Sequence, residues 1–345
     1  MPPTRTAVYL LALCAAALSL ALLDGRLHHD EVHQYAEPAH RMVWGYGTVA
    51  HEWHRGMRNT LGPGALAALF ALARALRVDG PWALFAVRHG AVTLLSLLAL
   101  RAAMDHVRAR TGREDLARYA GLCVALSLPW AALASRPLGE TLSVCAALFA
   151  LRAQDQPRWT LLGALAGLTF ALRYPAGLLA AGLALPALAR PRSAARFALG
   201  LGLALAALAA LDLRAWGAPF ASVTGYLRFN LLHDRARIEY GARPWWFYLA
   251  CAAAFAPWPM ALGLKGMRLV RAALPALAPL GLYLAVMSLV AHKEPRFFLT
   301  VIPLVAVALA CLSEGLAPRP LGGGPARRAG RRGDPRVVAP RELSG

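Results

Sequence analysis

Residues 7–41 read AVYLLALCAAALSLALLDGRLHHDEVHQYAEPAHR: an uncharged apolar run from Ala7 to Leu23, then a polar segment holding four of the chain's ten histidines. At about 1.5 Å of rise per residue, the run is long enough to cross the hydrocarbon core of a bilayer. Arg5 precedes it, and Leu22-Leu23-Asp24-Gly25 is not a small-residue cleavage site, so it reads as a retained membrane helix rather than a removed leader. The segment after it places Asp30, Glu31, His33, Gln34 and Glu37 where the chain leaves the membrane. Such groups are costly near lipid, which points to polar chemistry at a bilayer surface; a solvated loop between two helices is the plain alternative.

Working outward, 58% of residues are hydrophobic and apolar runs recur along the chain, the pattern of an all-α polytopic membrane protein. Besides 7–23, spans are expected at 81–103, 116–134, 138–151, 159–172, 176–189, 194–213, 245–262, 272–290 and 297–316, about ten in all. Within the first outer loop, 24–80, His33, Glu37, His40 and Trp44 recur at helical spacing, and Val32, Ala36, Ala39 and Val43 line another face. This predicts a helix lying in the interface, kinked or restarted at Pro38. The short apolar stretch 62–78 carries Arg74 and Arg77 and reads as a second interfacial or re-entrant helix. Residues 1–316 thus form one membrane domain with a second outer loop at 214–244, followed by a basic, Pro- and Gly-rich tail at 317–345 of the kind that stays disordered.

The net charge of +19 comes from 37 Lys and Arg against 18 Asp and Glu, and only Lys265 and Lys293 are lysines. With ten spans, Arg101, Arg108, Arg152, Arg190, Arg192, Arg196, Lys265 and the tail all fall on the cytoplasmic side. The Arg, Ala and Leu bias suggests a GC-rich bacterial genome, hence an inner membrane with the other face toward the periplasm. On that outer face Arg136, Arg173 and Arg296 run against the positive-inside trend, which an anionic ligand explains better than topology does. No basic helix or zinc-finger spacing supports nucleic-acid binding. The five cysteines lie inside apolar runs without CxxC spacing and read as small core residues.

Several segments resemble family 22 glycosyltransferases, the mannosyltransferases of the asparagine-linked glycan and glycosylphosphatidylinositol-anchor pathways. His29-Asp30-Glu31 with Gln34, Glu37 and His40 is similar to the family's opening His-Pro-Asp-Glu motif, with His29 where the proline stands. His51-Glu52-Trp53 with Arg58, Ser135-Arg136 with Glu140, and Phe229-Asn230 with Tyr240-Gly241 resemble further family segments. His292-Lys293-Glu294-Pro295-Arg296-Phe297 matches the His-Lys-Glu-x-Arg-Phe signature without a gap. The resemblance implies a GT-C type helical bundle, a polyprenyl-phosphate sugar donor and a glycan or lipid-linked acceptor at the membrane. No further cofactor is implied.

Under that resemblance, inverting transfer needs a carboxylate to take the acceptor's proton, help worth about 10² to 10⁴ in rate. Asp30 is the preferred base with Glu31 beside it, and the reversed assignment stays open. The leaving lipid phosphate gains charge, so cations should stand where that charge develops. Lys293, Arg296 and His292 are the candidates, completed by Arg136 and Arg173; for Lys293 and Arg296 the alternative is interfacial snorkelling with Glu294 as ion-pair partner. His29, Gln34, Glu37, Glu52 and Glu140 are assigned to the acceptor or to orientation. A metal on His33, Glu37 and His40 is not favoured, since Pro38 disturbs that face and no recognised zinc spacing occurs. Trp216, Phe220, Tyr226, Tyr240, Trp245 and Trp246 are read as an interfacial aromatic belt rather than sugar platforms. A transporter or lipid-handling protein is the alternative function, set behind the enzyme because the polar residues gather at one membrane side and no internal repeat is seen.

Overall fold

A computed structural model describes residues 3–22, 28–256, 270–299 and 301–313, all of them helical or in connections between helices. The expected tail at 317–345, Lys265, and the ends of the 245–262 and 297–316 spans lie outside the described residues. Four helices are long and apolar enough to cross a membrane: Arg5–Leu22, Pro81–Thr111, Pro191–Trp216 and Arg271–Leu289. Shorter apolar helices, Leu61–Ala75, Trp159–Leu172, Tyr174–Leu188 and Ile302–Leu312, pack among them. Leu10, Leu18, Leu94, Leu199 and Leu203 are exposed on the long helices, as lipid-facing leucines should be. The protein is a polytopic, all-α membrane protein.

Proline sets where the expected spans divide. The 116–134 stretch is two helices, Glu114–Ala125 and Leu128–Leu133, with Pro129 in the first turn of the second. The 297–316 stretch divides into Pro295–Leu299 and Ile302–Leu312, with Pro303 placed likewise. A proline lacks the N–H of the helix ladder and its ring opposes the carbonyl four residues back, so each helix restarts there. In the first loop Pro38 has the same effect with another outcome. Residues Glu31–Ala36 form a wide π turn that passes directly into the α-helix Glu37–Trp44. The wider turn absorbs the register change that Pro38 imposes.

Small residues bring the bundle together. Gly163 and Gly167 on Trp159–Leu172 face Gly200 and Ala204 on Pro191–Trp216, so closely that a Cβ on Gly163 would overlap the Phe197 carbonyl and one on Gly200 the Thr160 carbonyl. This is small-xxx-small packing, in which dispersion between close backbones replaces the hydrophobic drive that lipid removes. Gly182 meets the Pro279 backbone in the same way and seats the neighbouring helix. The helices Trp159–Leu172 and Gly177–Leu188 are joined by the turn Tyr174–Ala176, and that turn delivers Arg173 to the cavity described next.

Candidate active site

The π turn decides what the first loop presents. Asp30, at its start, and His33 and Gln34 line a cavity of about 520 Å³. Val32, Ala36, Glu37 and His40 line a separate cavity on the helix's other face. The cavity wall also takes Glu52 and Arg58, Arg173, the loop residues Tyr226, Phe229, Asn230 and Tyr240, and His292, Glu294, Arg296 and Phe297. Five sequence-distant segments therefore meet at one place.

Asp30 and Arg296 form its centre. Arg296 Nη1 lies 2.6 Å from Asp30 Oδ2 and 3.1 Å from His28 Nδ1. Burial alone would raise the Asp30 pKa, but Arg296 first and Arg58 next hold it down at about 2, so the carboxylate is ionised. His28 Nδ1 also accepts the Asp30 backbone N–H at 3.1 Å. Two donors on one ring nitrogen place the His28 proton on Nε2, and burial followed by the Arg296 charge lowers its pKa. His29 Nε2 is 3.2 Å from Asp30 Oδ1, with the His29 side chain largely exposed at the mouth. Glu294 takes Arg296 Nε at 2.6 Å and His292 Nε2 at 3.0 Å. Burial raises its pKa, and the His292 hydrogen bond and Arg296 outweigh that to hold it at about 2.

The two expected catalytic neighbours point apart. Glu31 is buried, its Oε2 paired with Arg136 Nη1 at 3.2 Å behind the cavity wall, and Arg136 Nη2 donates to the Ser19 carbonyl at 3.3 Å. Neither lines the cavity. Glu140 is likewise buried, bridging Arg173 at 3.0 Å and Arg296 at 3.4 Å from the back. Lys293 is turned inward: its ammonium donates to the Arg243 carbonyl at 3.0 Å and to the Val290 carbonyl, tying two loops, and burial lowers its pKa. Glu37 accepts the Thr48 N–H at 2.8 Å, facing away from Asp30.

Lys293 does not line the cavity, whereas Arg58 does. It is held by Glu52 at 2.8 Å, and the Gln34 amide also donates to Glu52. The signal for Arg58 was in the His51-Glu52-Trp53 segment, which sequence reading had credited to Glu52. Gln34 Oε1 is buried with no protein partner among the described residues. Tyr226 and Tyr240 line the cavity, whereas Trp245, Trp246 and Phe220 are exposed, so the expected aromatic belt divides into wall and surface. His33 lines this cavity, whereas Glu37 and His40 line the other. Ligand atoms of His28, His29 and Asp30 do gather within 4.8 Å of one another, around a point the Arg296 guanidinium already approaches.

A one-way hydrogen-bond relay fixes the cavity's flank. Asn59 Nδ2 donates to the Tyr174 hydroxyl at 2.9 Å, Tyr174 to Ser222 Oγ at 2.5 Å, and Ser222 Oγ to Asp212 Oδ2 at 2.5 Å. Asp212 is fully buried and also accepts the Ser222 N–H. Each direction follows from the last, because the Ser222 hydroxyl has one proton and gives it to the carboxylate. Asn59 and Tyr174 are sequence neighbours of Arg58 and Arg173, so the relay places both cavity cations.

In comparison with known proteins, the chain is 27% identical over 307 residues to GPI mannosyltransferase 3 of Yarrowia lipolytica, covering 81% of this chain and 57% of that protein. It is 27% identical over 362 residues to GPI mannosyltransferase 3 of Trypanosoma brucei brucei, covering 88% and 63%. It therefore spans less than two thirds of these relatives' length. Among solved structures, ArnT from Cupriavidus metallidurans bound to undecaprenyl phosphate superposes with a TM-score of 0.59 at 16% identity, over 89% of this chain and 60% of ArnT. That likeness establishes the GT-C fold. The profile of the Alg9-like mannosyltransferase family matches residues 8–331, and the chain belongs to that family.

Proposed function

We propose that this protein is a membrane-embedded inverting mannosyltransferase that moves mannose from a polyprenyl-phosphate-mannose donor to a lipid-linked or periplasmic glycan acceptor, at the non-cytoplasmic face of a bacterial inner membrane. Family membership supports the reaction class. The observation that carries the reading is the ionised Asp30 facing a cavity that also presents Arg58, Arg173 and Arg296.

In the reaction, the acceptor oxygen attacks the anomeric carbon while the bond from that carbon to the phosphate oxygen breaks. The acceptor proton passes to Asp30 and the electron pair leaves with the polyprenyl phosphate. A carboxylate held near pKa 2 is a weak base. Donor phosphate drawn to Arg296 competes with Asp30 for that guanidinium, and loosening the ion pair restores the carboxylate's basicity where it is needed. Arg58 and Arg173 complete the phosphate's surroundings, and charge developing there is stabilised by preorganised donors. Gln34 lines the cavity beside Asp30 and offers its amide to a sugar hydroxyl on a change of rotamer, and Tyr226 and Phe229 offer their rings to the sugar.

Lys293, Arg136, Glu31 and Glu140 take supporting parts, each holding a segment that carries a lining residue. His292 braces Glu294, Glu52 braces Arg58, and His29 sits at the acceptor side of the mouth. Residues 1–316 act as the catalytic domain, with the outer loops 24–80 and 214–244 each supplying cavity-lining residues.

The experiment is transfer of radiolabelled mannose from synthetic polyprenyl-phosphate-mannose in membranes carrying wild type or Asp30→Asn. Wild-type transfer that Asp30→Asn abolishes supports the reading. Transfer of a different polyprenyl-phosphate sugar and not of mannose overturns the donor assignment, and no transfer of any sugar overturns the enzyme.

A further inference from the structure

At the opposite end of the bundle another cavity has none of the catalytic one's balance of charge. The helix Trp159–Leu172 ends at Arg173 in the catalytic cavity and begins about 20 Å away at Trp159. There Trp159, Pro186, Arg190, Arg192, Ser193 and Arg196 enclose a cleft of about 870 Å³. All its charged groups are arginines. No carboxylate lines it, and none of the three has an ion-pair partner among the described residues. The catalytic cavity, by contrast, matches each arginine with a carboxylate.

The local fold builds this cleft. Pro191 opens the helix Pro191–Trp216, and the Ser193 hydroxyl is consumed by the Ala187 and Arg190 carbonyls, which pins the turn between the two helices. The turn sets Arg190, Arg192 and Arg196 on the surface within about two turns of each other, with Arg192 and Arg196 one turn apart on one helix face. Trp159, half-buried on the neighbouring helix, closes the other wall.

We infer that this cleft binds an anionic phospholipid carrying two phosphates, of the cardiolipin class, in the leaflet facing away from the catalytic cavity. Three unpaired guanidiniums exceed the need of one phosphate and suit two. Arginine's fork of donors fits phosphate oxygens, and Trp159 with Pro186 gives the glycerol and upper acyl carbons an apolar wall. Basic clefts between membrane helices select such headgroups over zwitterionic ones. The inference does not depend on the sugar-transfer reading.

The test is native mass spectrometry of the full chain, delipidated in detergent and titrated separately with cardiolipin, phosphatidylglycerol, phosphatidylcholine and inorganic phosphate. Wild type should bind cardiolipin in preference to the others, and the triple variant Arg190→Gln, Arg192→Gln, Arg196→Gln should lose roughly a hundredfold in affinity. The matching triple lysine variant should retain most of the binding. Arg101→Gln with Arg108→Gln, which removes charge elsewhere, should change nothing. Equal adducts of cardiolipin and phosphatidylcholine on wild type overturn the inference with no variant needed. So does displacement of cardiolipin by inorganic phosphate, or unchanged binding by the glutamine variant.

Discussion

Asp30 and Arg296 meet at 2.6 Å across 266 residues of sequence. The contact closes the chain's first polar loop onto its last, and it holds the proposed base in its ionised form. Asp30→Asn should lower sugar transfer by about 10² to 10⁴ while the protein still assembles, because the amide can accept from Arg296. Transfer assays on equal amounts of folded protein check this.

The same contact makes the fold sensitive to acid. The Asp30 pKa falls on folding from 3.8 to about 2, and that of Glu294 from 4.5 to about 2. A depressed carboxylate pKa stabilises the fold above the unfolded value and is lost as pH falls through the folded one. Thermal unfolding in detergent should thus show stability dropping between about pH 4.5 and pH 2, and Arg296→Met should flatten that drop.

Arg173 and Lys293 should separate on kinetics. Arg173→Ala removes a cavity cation and should raise the donor KM by roughly 10- to 100-fold. Lys293→Ala frees two backbone carbonyls instead, so its effect should appear in the melting temperature before it appears in KM. Donor titrations beside unfolding curves for both variants decide the matter.

Burial makes the Glu31 and Arg136 pair asymmetric to mutation. Arg136→Met alone leaves the Glu31 charge enclosed and should cost about 3–5 kcal/mol. Adding Glu31→Met should recover much of that loss. Denaturation of both variants in detergent tests it.

The glycine seam offers an internal control. Gly200→Ala should destabilise strongly, since its new methyl overlaps the Thr160 carbonyl, whereas Gly202→Ala on the same helix meets nothing within 4 Å and should be neutral or better. Melting temperatures of the two variants give the comparison.

Much of this was legible in sequence. Uninterrupted apolar runs foretold the helices, and the helix Trp159–Leu172 begins and ends where its composition does. Gathering of 29–34, 173 and 292–296 followed from motif and topology. The aim of each side chain was not legible. Asp30 and Glu31 are adjacent, yet a π turn sends one into the cavity and the other behind it. Lys293 resembles a phosphate ligand, and only the folded chain at Arg243 and Val290 shows two of its three donors already used. Arg58 stands in a family-like segment, but its place in the cavity depends on Glu52 and on loops more than a hundred residues away, which sequence does not show.

The relay ending at Asp212 has a mechanical meaning. Each proton in it is committed toward one carboxylate, so no member can turn round without stranding a charge inside an apolar bundle. The segments carrying Asn59, Tyr174 and Ser222 are thereby welded into one plate, denied the freedom that surface loops ordinarily keep. The opposite lip, where Ile238, Tyr240, Trp245 and Trp246 stand exposed, is held by single contacts such as that of the Tyr240 hydroxyl with His51. That plate is the rigid side of the cavity, and a buried aspartate is what fixes it.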